Sequence, residues 1–527
     1  MSSRSLVAHS PPRVFWSAVF AGSLLCVPLA SPGAAASGIA WQFVSSNSEV
    51  DKAFEMGRKT GKPVFLYWGA VWCPPCNQVK ATLFSRADFI ERSHAFVPVY
   101  VDGDKPGAQK VAARFKVQGY PTMILFKPDG TEITRLPGEV DPQRYLLTLT
   151  AGLDAQVPVR ELIHRATARQ ALTPEQWRLL AFYSWETDEQ QVVASAELPR
   201  RLSDLASAAP ADLPQVRDRL TFKALASVTD TSMAKAVGSM DVTAGRKFVD
   251  RILADPQAAA QLADMLIWQG EDVVKYLEPA GEGRRSLAGK WDAALARLST
   301  NSELSKADQV DALGTRVGMW KMFDGTGKLS QSRQTVVLQQ IARLVAATTD
   351  RYERQAVIPG AAHVLADAEL FSQSDELLKL ELPRAVAPYY HMLGLAGNAK
   401  KRNDAKTALY WYEQAWKKSE GPATRIQWGT GFVGQLVELA PTDPIRIQAA
   451  AAAVIAQLEP NSETFYERNQ RSLKRMATRL AKWQGNDAAR VGAVDKLKQQ
   501  LAKTCTRLPA KDAGRANCED VFSAPNS

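Results

Sequence analysis

The stretch Trp72-Cys73-Pro74-Pro75-Cys76 closely follows the apolar run Pro63-Val64-Phe65-Leu66-Tyr67-Trp68. The run is typical of a buried strand, and the Cys-x-x-Cys then lies at the start of a helix. We expect one thiol to reach solvent and the other to lie behind it, so that the pair cycles between dithiol and disulfide by exchange with a partner protein. A structural disulfide and half of a zinc site are the alternatives. Zinc needs four ligands, however, and the other cysteines and the histidines are scattered, so the pattern favours redox chemistry without a metal or cofactor.

Cys73 is the predicted nucleophile of this pair, and Cys76 is the predicted resolving thiol. As the N-cap of the following helix, Cys73 faces unsatisfied N–H groups and the positive end of the helix dipole, which favour its thiolate. Pro74 and Pro75 have no N–H to donate to the sulfur, whereas Cys76 has one. Cys76 then attacks the mixed disulfide and releases the reduced client. We expect Trp72 to shield the pair and to shape the surface on which clients dock.

A second motif, Gly119-Tyr120-Pro121-Thr122, stands further along the chain, directly before the apolar run Met123-Ile124-Leu125-Phe126. A proline at the first position of a strand removes no ladder hydrogen bond, and an X-Pro bond in such a turn can be held cis. Pro128-Asp129-Gly130 then predicts a turn, and the residues from Thr131 to Leu136 alternate as the second strand of a hairpin.

With these motifs, the chain resembles the thioredoxin superfamily over about Trp41 to Leu153. The matching features are the Trp-Cys-Pro-Pro-Cys, the Gly-Tyr-Pro-Thr and Gly138 before a closing helix. The segments Thr82–Ser85 and Phe96–Asp102 are most similar to the soluble C-terminal domain of the transmembrane thiol:disulfide interchange reductases. The resemblance implies an α/β thioredoxin fold in which Pro121 is cis and lies beside the dithiol. The residues that dock the substrate by this resemblance are Trp72, Tyr120 and Pro121.

One position departs from the family pattern. Thioredoxins and the interchange reductases commonly carry a buried aspartate six residues before the first cysteine, where it helps to deprotonate the resolving thiol. Here that position is Tyr67, a much weaker acid. Either water or another carboxylate then serves as the base, with Asp102 and Asp104 as candidates, or resolution is slower.

The first 36 residues predict a secretory signal peptide. Arg4 and Arg13 form a basic n-region, Val14 to Ala30 is mostly apolar, and Ala34-Ala35-Ala36 offers a small-x-small cleavage site. A lipoprotein anchor on Cys26 and an uncleaved anchor are the alternatives. No later segment has the long apolar stretch that a membrane-spanning helix needs. We therefore expect an exported, periplasmic chain without a membrane span after signal cleavage.

The composition is that of a globular protein, with 46% hydrophobic and 23% charged residues in a chain of 527. A chain of this length accommodates about two to four domains. Its formal net charge of +10 is small for its size, and no run of lysine and arginine or stripe of basic and aromatic residues argues for nucleic acid. Nucleic acid is therefore not a predicted partner.

Residues 37–153 form the predicted thioredoxin-like domain, and residues 154–503 form a predicted large all-α domain. The stretch from Asp154 to Pro158 is the predicted linker, because beyond it apolar residues recur at helical spacing. Thr173-Pro174-Glu175-Gln176 is typical of a helix start with a capping box.

One part of the helical domain is similar to a tetratricopeptide-type hairpin, although its spacing departs from the repeat of about 34 residues. A solenoid of such hairpins would offer a concave surface for polypeptides. A helical domain of no named repeat class is the alternative. The residues that carry the similarity are Tyr390, Leu393, Gly394, Ala408, Tyr412, Ala415 and Pro422.

Residues 504–527 are predicted to be a C-terminal tail, in which Cys505 and Cys518 follow the last helix. An exported chain with an even number of cysteines favours a structural disulfide between them. Closing this loop would stabilise the fold by about 3 kcal/mol on the chain-entropy model. A second redox pair that passes electrons to or from Cys73 and Cys76 is the alternative.

These features predict an exported thiol-disulfide oxidoreductase that exchanges disulfides with client proteins. Reduction of the clients is the preferred direction, because of the resemblance to the interchange reductases and because Pro75 precedes the resolving cysteine. The predicted partners are clients with disulfides or thiols and an unidentified redox partner. A disulfide oxidant or isomerase is one alternative, and a helical adaptor or chaperone with a docking thioredoxin module is the other.

Overall fold

The computed structural model of the protein describes residues 38–136, 142–188, 190–229, 241–324, 328–458 and 462–523. The predicted signal peptide and Gly138 lie outside these residues. The described residues from Ile39 onward form one compact unit. A domain boundary near residue 154 stays a prediction, and the proposed linker begins inside a helix that ends at Ala155.

A mixed sheet of five strands lies near the N-terminus, in the order β1-β3-β2-β4-β5. β1, β3 and β2 are parallel, whereas β4 pairs antiparallel with both β2 and β5. The central strand β2 is buried along its whole length, as its unbroken apolar run predicts. The predicted hairpin of β4 and β5 is confirmed. The strands are β1 Gln42–Val44, β2 Val64–Gly69, β3 Val97–Asp102, β4 Thr122–Phe126 and β5 Glu132–Leu136.

Helices cover both faces of this sheet. Ser46 and Glu49 form a capping box at the start of α1, and Gly61 ends that helix in the left-handed conformation. α1 and α4 bury apolar residues against one face of the sheet, and α2, α3 and α5 do so against the other. The predicted α/β thioredoxin fold is therefore confirmed. The helices of this part are α1 Asn47–Thr60, α2 Pro74–Thr82, α3 Ala87–Ser93, α4 Ala108–Phe115 and α5 Pro142–Ala155.

After α5, the regular structure in the described residues is helical, as predicted. Three short 3-10 helices are Ser195–Glu197, Ser462–Phe465 and Asp520–Phe522. The α-helices are α6 Val159–Thr167, α7 Pro174–Phe182, α8 Leu198–Ala208, α9 Pro214–Thr229, α10 Val242–Ala254, α11 Pro256–Gln261, α12 Ala263–Trp268, α13 Gly270–Leu277, α14 Gly281–Leu298, α15 Lys306–Asp324, α16 Gln331–Ala347, α17 Arg351–Asp367, α18 Phe371–Glu381, α19 Pro388–Lys401, α20 Ala405–Lys418, α21 Pro422–Leu439, α22 Pro444–Ala456, α23 Glu467–Gln484, α24 Ala488–Cys505 and α25 Ala513–Glu519.

Local signals in the helical region agree with the structure. Thr173 and Gln176 form the predicted capping box at the start of α7. The residues of the proposed hairpin lie on α19 and α20, which pack against each other, and Pro422 begins α21. The tetratricopeptide repeat class itself stays a prediction. None of the described helices is long and apolar enough to cross a membrane.

The expectation that Cys505 and Cys518 follow the last helix is wrong. Cys505 is the last residue of α24, and Cys518 lies in the further helix α25, which Asp512 caps. Pro509 lies in a turn between these two helices, and Gly514 lies inside α25. The two cysteines are joined as a disulfide and are buried in an apolar cluster. Their structural role stays a prediction.

Candidate active site

The Cys-x-x-Cys motif lies where β2 passes into α2. Cys73 is the N-cap of α2, as predicted, and Pro74 and Pro75 occupy the first two helical positions. The cysteines are joined as a disulfide with their Cα atoms 5.2 Å apart, and the N–H of Cys76 donates to the Sγ of Cys73 at 3.1 Å. After reduction, this N–H and the helix dipole favour a thiolate on Cys73. Within the described part of the chain, no third side chain lies near the pair to complete a group of metal ligands.

Asn77 stabilises the redox loop, by which we mean residues 71–76. The sequence analysis did not single out this asparagine. Its buried amide Nδ2 donates to the carbonyl oxygens of Val71 and Cys73, each at 2.8 Å. These bonds hold the residues on both sides of Trp72 to the first turn of α2. An asparagine that directly follows the second cysteine was the available signal, because its short amide can reach backbone groups of the preceding turn.

Neither cysteine reaches solvent in this structure. Cys73 is 1% exposed and Cys76 is 0% exposed, so the expectation that one thiol would reach solvent is wrong for this conformation. The physical reason is that the helical region covers the end of α2, against which α17 packs. Gln78 of α2 also donates to Ser305 Oγ at 2.8 Å, close to the start of α15.

Trp72 lies at the centre of the contact between the redox motif and the helical region. Its ring stacks on Tyr390 with 5.9 Å between ring centroids, and it meets Trp428 edge-on at 6.1 Å. Its carbonyl oxygen accepts from Gln355 Nε2 at 3.3 Å, while Gln355 Oε1 accepts from the N–H of Ala387 at 3.1 Å. Helices of the same chain therefore contact and cover Trp72, a residue that was predicted to dock clients.

The peptide bond between Tyr120 and Pro121 is cis, as the resemblance implies. The ring of Tyr120 lies 5.3 Å from that of Trp72, and its hydroxyl accepts from Gln109 Nε2 at 3.4 Å. The guanidinium of Arg468, on α23, lies 5.2 Å from both rings. The structure thus brings the predicted docking residues Trp72 and Tyr120 together, under a cation that the sequence did not indicate. Their role in docking stays a prediction.

Asp104 is a buried carboxylate that connects the redox motif to the helical region. Its Oδ2 accepts from Trp72 Nε1 at 2.9 Å, and its Oδ1 accepts from the hydroxyl of Thr424. Burial raises the pKa of Asp104 to about 7, although both hydrogen bonds and the nearby Arg468 act to lower it. Among the described residues, no hydrogen bond joins Asp104 to Cys76, so its suggested role as the base has no direct contact in this structure.

Tyr67 occupies the position at which the family commonly carries a buried aspartate. Its hydroxyl lies 3.5 Å from the carbonyl oxygen of Cys76, the limit of a weak hydrogen bond. Its ring packs on Phe84 and Tyr100, with centroid distances of 4.9 and 5.1 Å. Burial raises the pKa of Tyr67 well above its ordinary value, so this side chain stays neutral and does not act as a base.

We expect Asp104→Asn to remove part of the pH dependence of stability. The pKa of this carboxyl is raised from 3.8 to about 7, so the folded state keeps a proton that the unfolded chain loses between these values. The free energy of unfolding therefore falls as the pH rises through this window, by at most about 1.4 kcal/mol per pH unit, and levels off above it. Asparagine stays neutral and keeps an acceptor for Trp72. Urea unfolding from about pH 4 to pH 8 measures this effect. The free energy of unfolding of the variant should rise relative to that of the wild type up to about pH 7. A constant difference would contradict this expectation.

A sequence profile of a thioredoxin-like domain matches residues 50–152, which include both cysteines of the motif. The chain is 35% identical over 94 residues to a thioredoxin of Mycolicibacterium smegmatis, covering 18% of this chain and 81% of that protein. It is 30% identical over 121 residues to the thiol:disulfide interchange protein DsbD of Pseudomonas fluorescens, covering 22% and 21% of the two chains. The DsbD of Ralstonia nicotianae is 33% identical over 121 residues, covering 22% and 20%. The chain thus spans about a fifth of the length of the interchange proteins that it matches.

Proposed function

Because the chain belongs to the thioredoxin family, we propose that it is an exported oxidoreductase that exchanges disulfides with client proteins. The observation that carries this proposal is the position of Cys73 at the N-cap of α2, with the N–H of Cys76 donating to its sulfur. The thiolate of Cys73 attacks a client disulfide and forms a mixed disulfide, and one client sulfur leaves as a thiolate. Cys76 then attacks Cys73 Sγ, so that the second client sulfur leaves and the Cys73–Cys76 disulfide forms. The client gains two electrons, and the protein loses two.

We propose that the direction in the cell is reduction of the client. The similarity to thiol:disulfide interchange proteins and the proline directly before Cys76 support this direction. A separate redox partner must then return two electrons to the Cys73–Cys76 disulfide after each cycle. The basic, apolar and small-residue segments within residues 1–36 support export to the periplasm.

The equilibrium reduction potential of Cys73 and Cys76 tests the direction. We expect a value near that of thioredoxin, about −270 mV, and far from the value of about −120 mV of the strong oxidant DsbA. The fraction of reduced protein is measured in dithiothreitol buffers by counting alkylated thiols. The double variant Cys73→Ser/Cys76→Ser is the control, because it reports the reduction of Cys505 and Cys518 alone. A potential near that of DsbA would overturn the proposal that the protein reduces its clients and would favour oxidation of the clients.

The burial of both cysteines favours a second candidate function. In this candidate, the thioredoxin-like domain is a docking module that stays closed on the helical region, and the chain acts as an adaptor or chaperone. Turnover of protein disulfides distinguishes the two functions. An oxidoreductase has turnover and loses it in Cys73→Ser/Cys76→Ser, whereas an adaptor has none in the wild type and binds its partners equally well in this variant.

A further inference from the structure

A cavity of about 500 Å³ lies beside the edge of the sheet, between β1, β3 and α2 on one side and the start of α17 on the other. Neither cysteine of the redox motif lines it, so a ligand there needs no access to the covered Cys73. Ligand sites usually have volumes of about 300–1,000 Å³ and are lined mainly by apolar and aromatic side chains. The aromatic side chains of this cavity are Trp41, Phe43, Tyr67, Phe84, Tyr100 and Tyr352.

Rings on both sides of the cavity leave apolar surface in contact with solvent. Phe43, on the edge strand β1, is 73% exposed, and Tyr352, on α17, is 39% exposed. Tyr100 packs against Phe43 with 5.3 Å between the ring centroids, and Trp41 meets Tyr100 edge-on at 6.1 Å. A planar aromatic ligand would remove this apolar surface from water and would pack on rings of both walls.

A lysine ammonium lies between the two walls. Lys80, on α2, holds its Nζ 5.6 Å from the ring centroid of Tyr100 and 5.9 Å from that of Tyr352. In the part of the chain that the structure describes, no carboxylate lies within ion-pair distance of this ammonium. Burial lowers the pKa of Lys80, while the more distant carboxylate of Asp102 acts to raise it. The cavity therefore holds a partly desolvated cation without a direct counter-ion.

Asp350 also lines the cavity, but its charge is already compensated. As the N-cap of α17, its carboxylate accepts the N–H groups of Tyr352 and Glu353, each at 2.9 Å. The positive end of the helix dipole stabilises a carboxylate at this position. Lys80 also occupies the place beside the tyrosine rings that a ligand cation would take. The cavity therefore favours an anionic ligand over a cationic one.

We propose that this cavity binds a small aromatic carboxylate, whose ring packs on Tyr100 and Tyr352 and whose carboxylate pairs with Lys80. The inference goes beyond the proposed function, because the site uses neither cysteine. The ring of the ligand matches the aromatic walls, and its carboxylate supplies the counter-ion that Lys80 lacks. Aromatic side chains inside a polypeptide carry no carboxylate, so the combination favours a free acid.

Isothermal titration calorimetry with cinnamate and two matched compounds tests this inference. Cinnamamide keeps the aromatic ring without the charge, and cyclohexylpropionate keeps the charge without an aromatic ring. The wild-type protein should bind cinnamate at least about tenfold more tightly than cinnamamide, as expected for one hydrogen bond between charged groups. It should also bind cinnamate severalfold more tightly than cyclohexylpropionate, because only cinnamate packs ring on ring.

Lys80→Met should lower the affinity for cinnamate about tenfold, to that for cinnamamide, because methionine keeps the length of the side chain without its charge. Lys110→Met is the matched control. The Nζ of Lys110 also lies over a tyrosine, 5.8 Å from the ring centroid of Tyr466, but Lys110 does not line the cavity. The affinity for cinnamate should stay unchanged in this control variant.

A second variant, Tyr352→Ala, keeps the test decisive if Lys80→Met fails to fold. Removal of this partly exposed ring should lower the affinity for cinnamate and for cinnamamide severalfold, with little change in melting temperature. Absence of binding, equal affinities for these two compounds, or an affinity for cinnamate that survives both variants would overturn the site. Tighter binding of a tripeptide that ends in phenylalanine would assign the cavity to a polypeptide C-terminus and would also overturn the proposal. None of these results depends on turnover of disulfides, so the proposed oxidoreductase is tested separately.

Discussion

Cys76→Ser is expected to accumulate mixed disulfides with client proteins, whereas Cys73→Ser is expected to form none. Cys73 is the N-cap of α2 and accepts the N–H of Cys76, so its thiolate is favoured and it attacks the client. Without the thiol of Cys76, the client cannot be released. Turnover of protein disulfides should fall to the uncatalysed rate in both variants, the largest effect on activity that we expect of any single substitution. Non-reducing gels of extracts that contain exported proteins should show the trapped complexes.

The matched control for this experiment is Cys505→Ser/Cys518→Ser. Both of these cysteines are buried at the junction of α24 and α25, and a structural disulfide there should not change which cysteine traps clients. The double variant should therefore lower the melting temperature and leave turnover intact. If Cys73→Ser traps clients and Cys76→Ser does not, the two roles are reversed. Loss of turnover in the control variant without loss of stability would favour the alternative that Cys505 and Cys518 are a second redox pair.

Tyr390→Ala/Trp428→Ala is expected to raise the alkylation rate of reduced Cys73 by about fivefold or more. The two rings contact Trp72 on the side of the helical region, and Cys73 is 1% exposed beneath this cover. Each aromatic pair contributes about 0.5–1.5 kcal/mol beyond the area that it buries. Loss of two pairs therefore favours a conformation in which these rings no longer cover Cys73 by about 1–3 kcal/mol, or about five- to 150-fold.

The rate is measured with iodoacetamide in a Cys76→Ser background, so that Cys73 is the single free thiol of the motif. Tyr410→Ala is the control, because Tyr410 is a half-exposed aromatic residue of α20 and should leave the rate unchanged. The urea midpoint of each variant shows that the fold is retained. An alkylation rate that does not change in the double variant would show that reagents reach Cys73 without displacing these rings.

Local features of the redox motif could be predicted from the sequence. The N-cap position of Cys73, the hairpin of β4 and β5 and the cis bond before Pro121 are all as expected. The first two depend on residues that are close in sequence: prolines without an N–H, a turn of proline, aspartate and glycine, and an apolar run before the cysteines. The capping box at Thr173 belongs to the same class. The cis bond was implied by the resemblance to the thioredoxin superfamily.

The extent of the helices was less predictable. The sequence predicted a tail from residue 504, whereas regular structure continues into α25. A turn between two helices and the start of a tail share the same local residues. Only packing against a core decides between them, and here both cysteines lie in an apolar cluster with Leu501, Leu508 and Val521.

The sequence by itself indicated the local features of this protein: the two cysteines that we propose to react, which of them is at the helix N-terminus, and the thioredoxin fold around them. Only the tertiary structure showed how far solvent and partner proteins can reach these cysteines. Gln355 binds the carbonyl of Trp72 although it stands 283 positions later in the chain. Cys73 and the first turn of α2 are neighbours in sequence, so local backbone geometry sets their relation. The burial of the two cysteines and the raised pKa of Asp104 depend on helices that are distant in sequence and exclude water from both places. No local sequence pattern indicates such packing.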